Sequence, residues 1–374
     1  MKSIYLILLF IGFAATAPAQ GVKSFKDATN KYGLKDSKGN VIVSPKYNFI
    51  NEFKDGLARV SIGSSYNNWL YGFIDSTGRE IIPLKYSQAD GFSEGLAYVK
   101  LDGKFGFIDQ SGALKIPMIY DGASYFSQGL APVRTGDYQT GKWSYIDKTG
   151  KTVLPLQYDA ANAFKDGIAL VSIQGKYGFI NKTGKLVIPA EYDYAYEFHK
   201  SELAGVNKGG VKGGWNVQGG KWGFINKSGK MIIPLQYDYA NAFSEGLACV
   251  MTDKKAGFID ETGKLVIPMM FETMSSFQYG TAPATLNGKS IFIDKTGKES
   301  KPSKRVTFNN GEYIGETSSD GQTPNGKGKM VWTLGDIYDG EWVNGVMNGK
   351  GKLTQNGKVY EGNFVNGKFV DSVK

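Results

Sequence analysis

Carboxylates that recur at a fixed spacing are the side chains of this sequence best suited to chemistry. Six aspartates each open an Asp-x-x-Gly segment, namely Asp36, Asp75, Asp109, Asp147, Asp260 and Asp294. Acid–base catalysis needs one asymmetric arrangement in which neighbouring carboxyls have pKa values pushed apart. An aspartate repeated at every turn serves the turn instead, because its side chain accepts from the backbone two residues on and the glycine takes positive φ. We therefore predict no catalytic residue and no enzyme.

A second set of aspartates recurs along the chain, each directly after a tyrosine. We call such a set, which occupies equivalent positions of a repeated segment, a column; this second acidic column consists of Asp121, Asp159, Asp193 and Asp238. Calcium takes six to eight oxygen ligands, so repeated carboxylates leave a calcium site open as an alternative. The sequence contains no Asp-x-Asp-x-Asp-Gly loop. We therefore predict no metal site.

The chain has one histidine, His199, and one cysteine, Cys249. These counts exclude a Cys/His zinc site and an internal disulfide. The chain is repetitive, and the positions equivalent to His199 in other repeats hold polar residues such as Lys54 and Ser93, which predicts a solvated histidine. Cys249 lies at a position whose residue type varies between repeats, and we predict an unreactive thiol there. Gly209-Gly210 and Gly213-Gly214 lack the following Lys-Ser/Thr of a phosphate loop. We predict no cofactor.

The elements that must position these residues form a tandem repeat. Lys104–Asp109 reads Lys-Phe-Gly-Phe-Ile-Asp, and close variants begin at Lys176 and Lys221. The period is 34 residues, with three insertions. Anchor glycines mark most of the copies: Gly33, Gly72, Gly106, Gly178, Gly223 and Gly257, with Ser144 and Ile291 in two weaker copies. The sequence predicts seven complete copies and a half copy.

The sequence of each copy predicts three β-strands. An aromatic-Gly-Phe-Ile strand, the Asp-x-x-Gly turn and a strand that ends near proline form a hairpin, and a Leu-Ala-x-Val strand follows. Ala97 and Val99 share one face of that third strand and are predicted core. The column between them, which includes Leu170 and Cys249, is predicted to face solvent or a shallow groove. Both hairpin faces are apolar, so stacked copies must cover both sides.

This pattern resembles the bacterial WG (KWG) repeat over residues 31–302. The resemblance implies an all-β module of exported or surface proteins and supplies no catalytic residues. Ser144, Ser201 and Ile291 depart from the consensus. The array starts and ends with a hairpin, so its ends duplicate each other where a propeller would use complementary halves. We therefore favour an open superhelical stack of three-stranded antiparallel meanders over a closed propeller.

Residues 309–370 contain a different repeat, with tyrosines at Tyr313, Tyr338 and Tyr360 and Asn-Gly turn signals such as Asn344-Gly345. They resemble three MORN repeats, which implies a short single-layer hairpin sheet that holds proteins or lipid surfaces. The predicted domains are an N-terminal leader, a lead-in, the WG-type array and the MORN module, at residues 1–19, 20–30, 31–302 and 303–374.

The first residues resemble a signal peptide. Lys2 precedes an apolar run from Ile4 to Ala15, and Ala17-Pro18-Ala19 supplies a cleavage site. An uncleaved anchor or a buried strand is the alternative. We predict an exported protein that is periplasmic, outer-membrane-associated or secreted. The net charge of +9 is interspersed along the chain, which favours weak contact with anionic polymers or lipid head groups and disfavours nucleic acid.

The three insertions fall in the same connection of the repeat, at residues 63–69, 135–141 and 207–220. They carry aromatic and amide side chains suited to glycan or protein contact: Tyr66, Asn67, Trp69, Tyr138, Trp215 and Asn216. We therefore predict a non-catalytic scaffold that binds envelope or extracellular proteins or glycans through an extended surface. The alternatives are a polysaccharide-active enzyme on a propeller-like scaffold and a membrane-surface adaptor acting through the MORN module.

Overall fold

A computed structural model describes residues 21–65, 68–198, 201–213, 216–308 and 311–370. In these ranges the chain is built from β-strands joined by turns, which confirms the all-β prediction. No helix within them has the length and apolar composition needed to cross a membrane. The predicted leader and His199 lie outside the described residues. The chain divides into two compact units, Met1–Gly141 with Tyr145–Val153, and Lys142–Ser144 with Leu154–Lys374.

The first unit contains antiparallel sheets of three and four strands. Its strands are β1 (Lys23–Lys26), β2 (Tyr32–Lys35), β3 (Val41–Tyr47), β4 (Phe49–Ile50), β5 (Leu57–Ile62), β6 (Leu70–Asp75), β7 (Glu80–Tyr86), β8 (Gln88–Ala89), β9 (Leu96–Leu101), β10 (Lys104–Asp109), β11 (Leu114–Tyr120), β12 (Gly122–Ala123) and β13 (Leu130–Thr135). The division between the units falls within β14 (Lys142–Asp147) and β15 (Thr152–Tyr158).

The second unit continues with four four-stranded sheets. Their strands are β16 (Ala160–Ala161), β17 (Ile168–Ile173), β18 (Lys176–Asn181), β19 (Leu186–Tyr192), β20 (Tyr194–Ala195), β21 (Leu203–Gly213), β22 (Asn216–Asn226), β23 (Met231–Tyr237), β24 (Tyr239–Ala240), β25 (Leu247–Thr252), β26 (Lys255–Asp260), β27 (Leu265–Phe271), β28 (Thr273–Met274), β29 (Thr281–Leu286), β30 (Lys289–Asp294) and β31 (Glu299–Ser300).

One seven-stranded antiparallel meander completes the second unit, with each strand paired to its neighbour in sequence. Its strands are β32 (Ser303–Phe308), β33 (Gly311–Thr317), β34 (Pro324–Trp332), β35 (Ile337–Val343), β36 (Val346–Gln355), β37 (Lys358–Val365) and β38 (Lys368–Val370). One face of this sheet has its own apolar cluster, which includes Tyr313, Tyr338, Trp342 and Phe364. The predicted C-terminal hairpin sheet is therefore present.

The hairpins form because the Asp-x-x-Gly turn satisfies its own backbone, as predicted. In the β10–β11 hairpin, one carboxylate oxygen of Asp109 accepts from the backbone N–H groups of Ser111 at 2.9 Å and Ala113 at 3.1 Å. The Gly112 N–H donates to the Asp109 carbonyl at 2.9 Å, and Gly112 has a φ of 83°. Positive φ at the closing position explains the glycine in this column.

The anchor glycines are required by close approach of the neighbouring strand. A Cβ atom added to Gly223 would lie 2.5 Å from the carbonyl oxygen of Ile233. The β22–β23 register shifts on both sides of Phe224, which brings that backbone inward. Ile291 occupies the equivalent position in β30, where the partner strand β31 has only two residues. The exception therefore occurs where the approaching strand is shortened.

The third strand and the hairpin are buried as predicted. Ala97 and Val99 are buried, and so are the consecutive residues Phe107 and Ile108, whose side chains lie on opposite faces of β10. From the second copy onward, the turn packs against the preceding sheet; a Cβ atom on Gly112 would lie 3.3 Å from the Ile82 side chain. Neighbouring copies therefore cover both faces of a hairpin.

Two features differ from the sequence-based description. Each four-stranded sheet crosses the boundary of the sequence repeat, since β9 of one copy pairs with β10 of the next, and it gains a two-residue strand such as β8. The predicted solvent-facing column is wrong at four positions, because the structure buries Pro132, Leu170, Gly205 and Cys249. Cys249 packs in a cluster with Phe258 and Phe277, because the following turn folds over it.

Candidate functional site

The turn aspartates are fully engaged by their own turns. The carboxylate of Asp75 accepts from the backbone N–H of Thr77 at 2.9 Å, from its hydroxyl at 2.6 Å and from the backbone N–H of Arg79 at 3.0 Å. Burial raises the pKa of Asp75, but the hydrogen bonds from Thr77 and Arg79 outweigh it and hold the pKa below 3.8. A carboxyl held ionised by its turn supplies no proton near neutral pH.

The second acidic column ties two strands of one hairpin region together. Asp121 accepts from the Lys104 ammonium at 2.6 Å and from the Gly136 backbone N–H at 3.0 Å. The lysine is the largest cause of the lowered pKa of Asp121. The other three members make the same pair of contacts: Asp159 with Lys142 and Gly175, Asp193 with Lys176 and Gly209, and Asp238 with Lys221 and Asp253.

In this column one carboxylate oxygen accepts from a lysine and the other from a backbone N–H. These contacts give the calcium alternative no support. Among the residues that the structure describes, no cluster of three or more His, Cys, Asp or Glu side chains could hold a metal ion. The Cys249 thiol is buried, and burial raises its pKa to about 12. A protonated thiol is a poor nucleophile.

Two of the six predicted binding residues have described side chains, and both lie in the first unit. Trp69 is half-buried and packs edge-to-face on Tyr71, with ring centroids 6.5 Å apart. Tyr138 is 73% exposed, and the Arg134 guanidinium lies 5.4 Å from its ring centroid. Tyr66, Asn67 and Trp215 lie outside the described residues, and the structure describes only the backbone of Asn216.

The loop that carries Tyr138 is held by a local aspartate. Asp137 accepts from the backbone N–H groups of Gln139 at 2.7 Å and Thr140 at 2.8 Å, and from the Thr140 hydroxyl at 2.5 Å. The hydroxyl of Thr140 is the largest cause that lowers the pKa of Asp137 to about 2. Tyr138 is therefore presented to solvent on an ordered turn, and the third insertion instead lengthens the β21–β22 hairpin out to the Gly213–Asn216 pair.

Sequence reasoning missed a cavity of about 1300 Å³ in the second unit. One wall consists of turns in the WG-type array, among them Phe243–Gly246 and Phe277–Gly280. The opposite wall is the seven-stranded sheet. The Ser244 hydroxyl donates to the Phe277 carbonyl at 2.7 Å, which links one array turn to the next. Phe243 and Phe277 are buried beneath these turns.

A row of cross-strand partners forms the sheet wall. Arg305 lies opposite Ile314, Ile314 opposite Lys329, and Lys329 opposite Asp339. All four line the cavity. These residues come from four strands and are aligned only by register, so no local motif announces them.

The charges around the cavity are partly neutralised. Glu245 accepts from the Gly280 backbone N–H at 3.0 Å and forms an ion pair with Lys295 at 3.2 Å. Arg305 lies over the Tyr279 ring at 5.5 Å, with its Nε 3.5 Å from the exposed carboxylate of Glu312.

The other charged groups of the lining are two lysines and two carboxylates, namely Lys165, Lys329, Glu261 and Asp339. Lys165 and Lys329 reach the cavity from opposite walls. The lining therefore presents both ammonium and carboxylate groups to the cavity.

Comparison with known families identifies both repeat types. The model of the WG-containing repeat matches seven segments and covers more than half of the chain: residues 32–66, 71–105, 105–138, 143–177, 177–211, 222–255 and 257–289. The MORN repeat model matches residues 338–358 and 360–370. The first of the three predicted MORN copies is not matched, although its strand β33 belongs to the same sheet.

Among curated proteins, phosphatidylinositol 4-phosphate 5-kinase 1 of Oryza sativa subsp. japonica is 48% identical over 48 residues. That match spans 13% of this chain and 6% of the kinase. A solved eukaryotic initiation factor covers 76% of this chain and 85% of its own at 11% identity, with a TM-score of 0.47. AztD from Citrobacter koseri covers 80% and 88% at 12% identity, with a TM-score of 0.35.

Proposed function

The chain belongs to the WG-containing repeat family, and we propose that it is an exported, non-catalytic scaffold that binds proteins or glycans of the cell envelope through an extended surface. The observation that carries this proposal is that the repeated carboxylates form structural hydrogen bonds within the array. Asp75 and its equivalents hold turns, and Asp121 and its equivalents hold lysines and backbone amides. The repeated polar residues thus maintain the array.

Binding is assigned to the exposed insertions. Tyr138 combines a large amphipathic ring with high exposure and an ordered loop, which limits the conformational entropy lost on binding. Arg134 adds a cation over this ring, with its guanidinium 5.4 Å from the ring centroid. Tyrosine and arginine are enriched where proteins bind partners. This pair therefore supports a contact site in the insertion at residues 135–141.

Export is inferred from the basic residue, apolar run and Ala-x-Ala site within residues 1–19. Cell fractionation tests this part of the proposal. The full chain should appear outside the cytoplasm with its first residues removed, and a variant lacking residues 2–19 should stay inside. Cytoplasmic location of both forms would contradict export.

Site-specific photo-cross-linking tests the binding surface. A photoreactive phenylalanine analogue at Tyr138 should yield discrete covalent adducts with envelope protein or glycan in the cells that make the chain. The matched control is the same analogue at Tyr125, which is also an exposed tyrosine of the first unit.

Adducts at position 138 that are absent from position 125 would support the proposal. Equal adduct patterns at the two positions, or none at position 138, would contradict the assigned surface. Circular dichroism of both variants would establish that each retains the strand content of the unmodified chain.

A further inference from the structure

We propose that Asn356 is a covalent modification site, at which the asparagine converts spontaneously to aspartate and isoaspartate faster than in three other turns of the same sequence. In the described part of the second unit, four β-hairpins turn through an Asn-Gly pair. The four pairs are Asn287-Gly288, Asn344-Gly345, Asn356-Gly357 and Asn366-Gly367.

The four turns have the same backbone shape and the same access to water. The asparagine φ lies between 48° and 52° in all of them, and the glycine φ lies between 72° and 82°. Positive φ at both central residues is the type I′ geometry that Asn-Gly favours. All four asparagines are exposed. Neither sequence, turn conformation nor exposure therefore separates one site from another.

The hydrogen bond of the following glycine does separate them. The Gly345 N–H donates to the Pro324 carbonyl at 2.8 Å, and the Gly367 N–H donates to the Met347 carbonyl at 2.9 Å. Each acceptor belongs to a neighbouring strand of the seven-stranded sheet. A donated N–H holds its proton and its position, so these two glycine nitrogens are poorly placed to act as nucleophiles.

The remaining two turns differ in the same respect. The Gly288 N–H donates to the Glu272 carboxylate at 3.1 Å. Among the residues that the structure describes, none accepts from the Gly357 N–H, and a Cβ atom added to Gly357 would meet nothing within 4 Å. The Gly357 nitrogen is thus open to solvent, where base can remove its proton.

The chemistry needs only this nitrogen, the asparagine side chain and water. The deprotonated Gly357 nitrogen attacks Cγ of Asn356, the bond from Cγ to the side-chain nitrogen breaks, and ammonia leaves with a proton from water. The product is a cyclic succinimide. Water then adds to either carbonyl and opens the ring, which gives aspartate or isoaspartate. Nothing is oxidised or reduced.

Either product disturbs the turn between β36 and β37. The backbone N–H of Asn356 donates to the Asp336 carboxylate at 3.2 Å, so a carboxylate at position 356 stands beside an existing negative charge. Isoaspartate also lengthens the backbone by one carbon, which a two-residue turn does not accommodate. The modification therefore alters the sheet and goes beyond the proposed scaffold function, whose assigned contact site lies in residues 135–141.

Peptide mapping of the purified full chain tests the proposal. The chain is held in mildly alkaline buffer, samples are digested with trypsin, and tandem mass spectrometry follows the conversion of each asparagine. Cleavage after Lys352 and Lys358 releases a peptide in which Asn356 is the single asparagine. We expect Asn356 to convert about tenfold or more faster than Asn344 and Asn366.

Glu272 offers a causal test at another of the four turns. E272A removes the acceptor of the Gly288 N–H and should raise the conversion rate of Asn287 by about tenfold. E272Q is the matched control, because its side-chain carbonyl oxygen can still accept, and Asn287 should stay slow. Circular dichroism would establish that both variants keep the strand content of the unmodified chain.

The unfolded chain provides the reference for both tests. In concentrated urea the four sites should convert at similar rates, because only the local Asn-Gly sequence then acts. Equal rates at Asn356 and Asn344 in the folded chain would overturn the proposal. A rate at Asn287 that E272A leaves unchanged would also overturn it, as would the folded-state order of rates persisting in urea.

Discussion

At the residue scale, the same turn is built with either aspartate or asparagine. Asn181 replaces aspartate and accepts from the backbone N–H groups of Thr183 and Lys185, each at 3.0 Å. The required property is therefore a side-chain carbonyl oxygen at a fixed position. The negative charge adds to stability without being required for the fold.

Because aspartate carries a charge and asparagine does not, replacing Asp75 by asparagine should change the stability of the protein in a pH-dependent way. The pKa of Asp75 is lowered on folding, so its charge contributes stability above the unfolded pKa of about 3.9, and that contribution disappears as pH falls through the lower folded pKa. D75N should lower the free energy of unfolding by about 1 kcal/mol at pH 7, and the difference should shrink as pH falls below about 3.9 and be lost as pH passes through the lowered folded pKa. Urea denaturation across pH 2–7 measures it.

Asn181 provides the matched control, since it makes the same backbone contacts without a titrating group. N181A should cost about 1 kcal/mol at every pH in that range. A D75N difference that stays constant from pH 7 to pH 2 would show that the charge plays no part.

The anchor glycine predicts a severe steric defect. In G223A the new Cβ atom would lie 2.5 Å from the Ile233 carbonyl oxygen, so the β22–β23 pairing must shift. We expect loss of soluble protein or a thermal midpoint lowered by roughly 10 °C or more. G91A is the control, because its Cβ meets no atom within 4 Å and its φ is not positive. Equal midpoints for the two variants would refute the close-approach argument.

At the element scale, a repeated aromatic pair joins each sheet to the turn that follows it. Phe179 and Phe198 have ring centroids 4.9 Å apart, and Phe107 and Phe126 are the same distance apart. All four rings are buried. The pair fixes the connection between a hairpin and the next third strand, so it governs how successive sheets stack.

Removing one of these rings should therefore destabilise the protein more than replacing it with another large apolar side chain. F179A should lower the free energy of unfolding by about 3–5 kcal/mol, and F179L should cost clearly less, since leucine refills most of the space. Urea transitions followed by circular dichroism would measure both. Similar midpoints for F179A and the unmodified chain would mean that the ring pair does not stabilise the stack.

Elements were more predictable than the contacts between them. The Asp-x-x-Gly turn and the Ala97/Val99 face follow from local chemistry, and both are found as predicted. The burial of Leu170 and Cys249 was missed because the covering turn comes from later in the chain. The row from Arg305 to Asp339 was missed because it exists only through strand register.

At the scale of the whole molecule, two repeat types meet within one compact unit. The Ser303 backbone N–H donates to the Thr281 hydroxyl at 3.2 Å, and Arg305 stacks on Tyr279. The seven-stranded sheet is thereby anchored to the last turns of the WG-type array. Both types of repeat then serve the proposed scaffold by supplying walls and exposed loops for binding.

Binding without turnover is the central claim, and co-sedimentation with a washed envelope fraction tests it most directly. The full chain should sediment with the fraction saturably and release no soluble sugar or peptide above the buffer background. Release of new reducing ends or peptides in proportion to protein concentration would identify an enzyme and contradict the scaffold proposal, as would a complete lack of sedimentation.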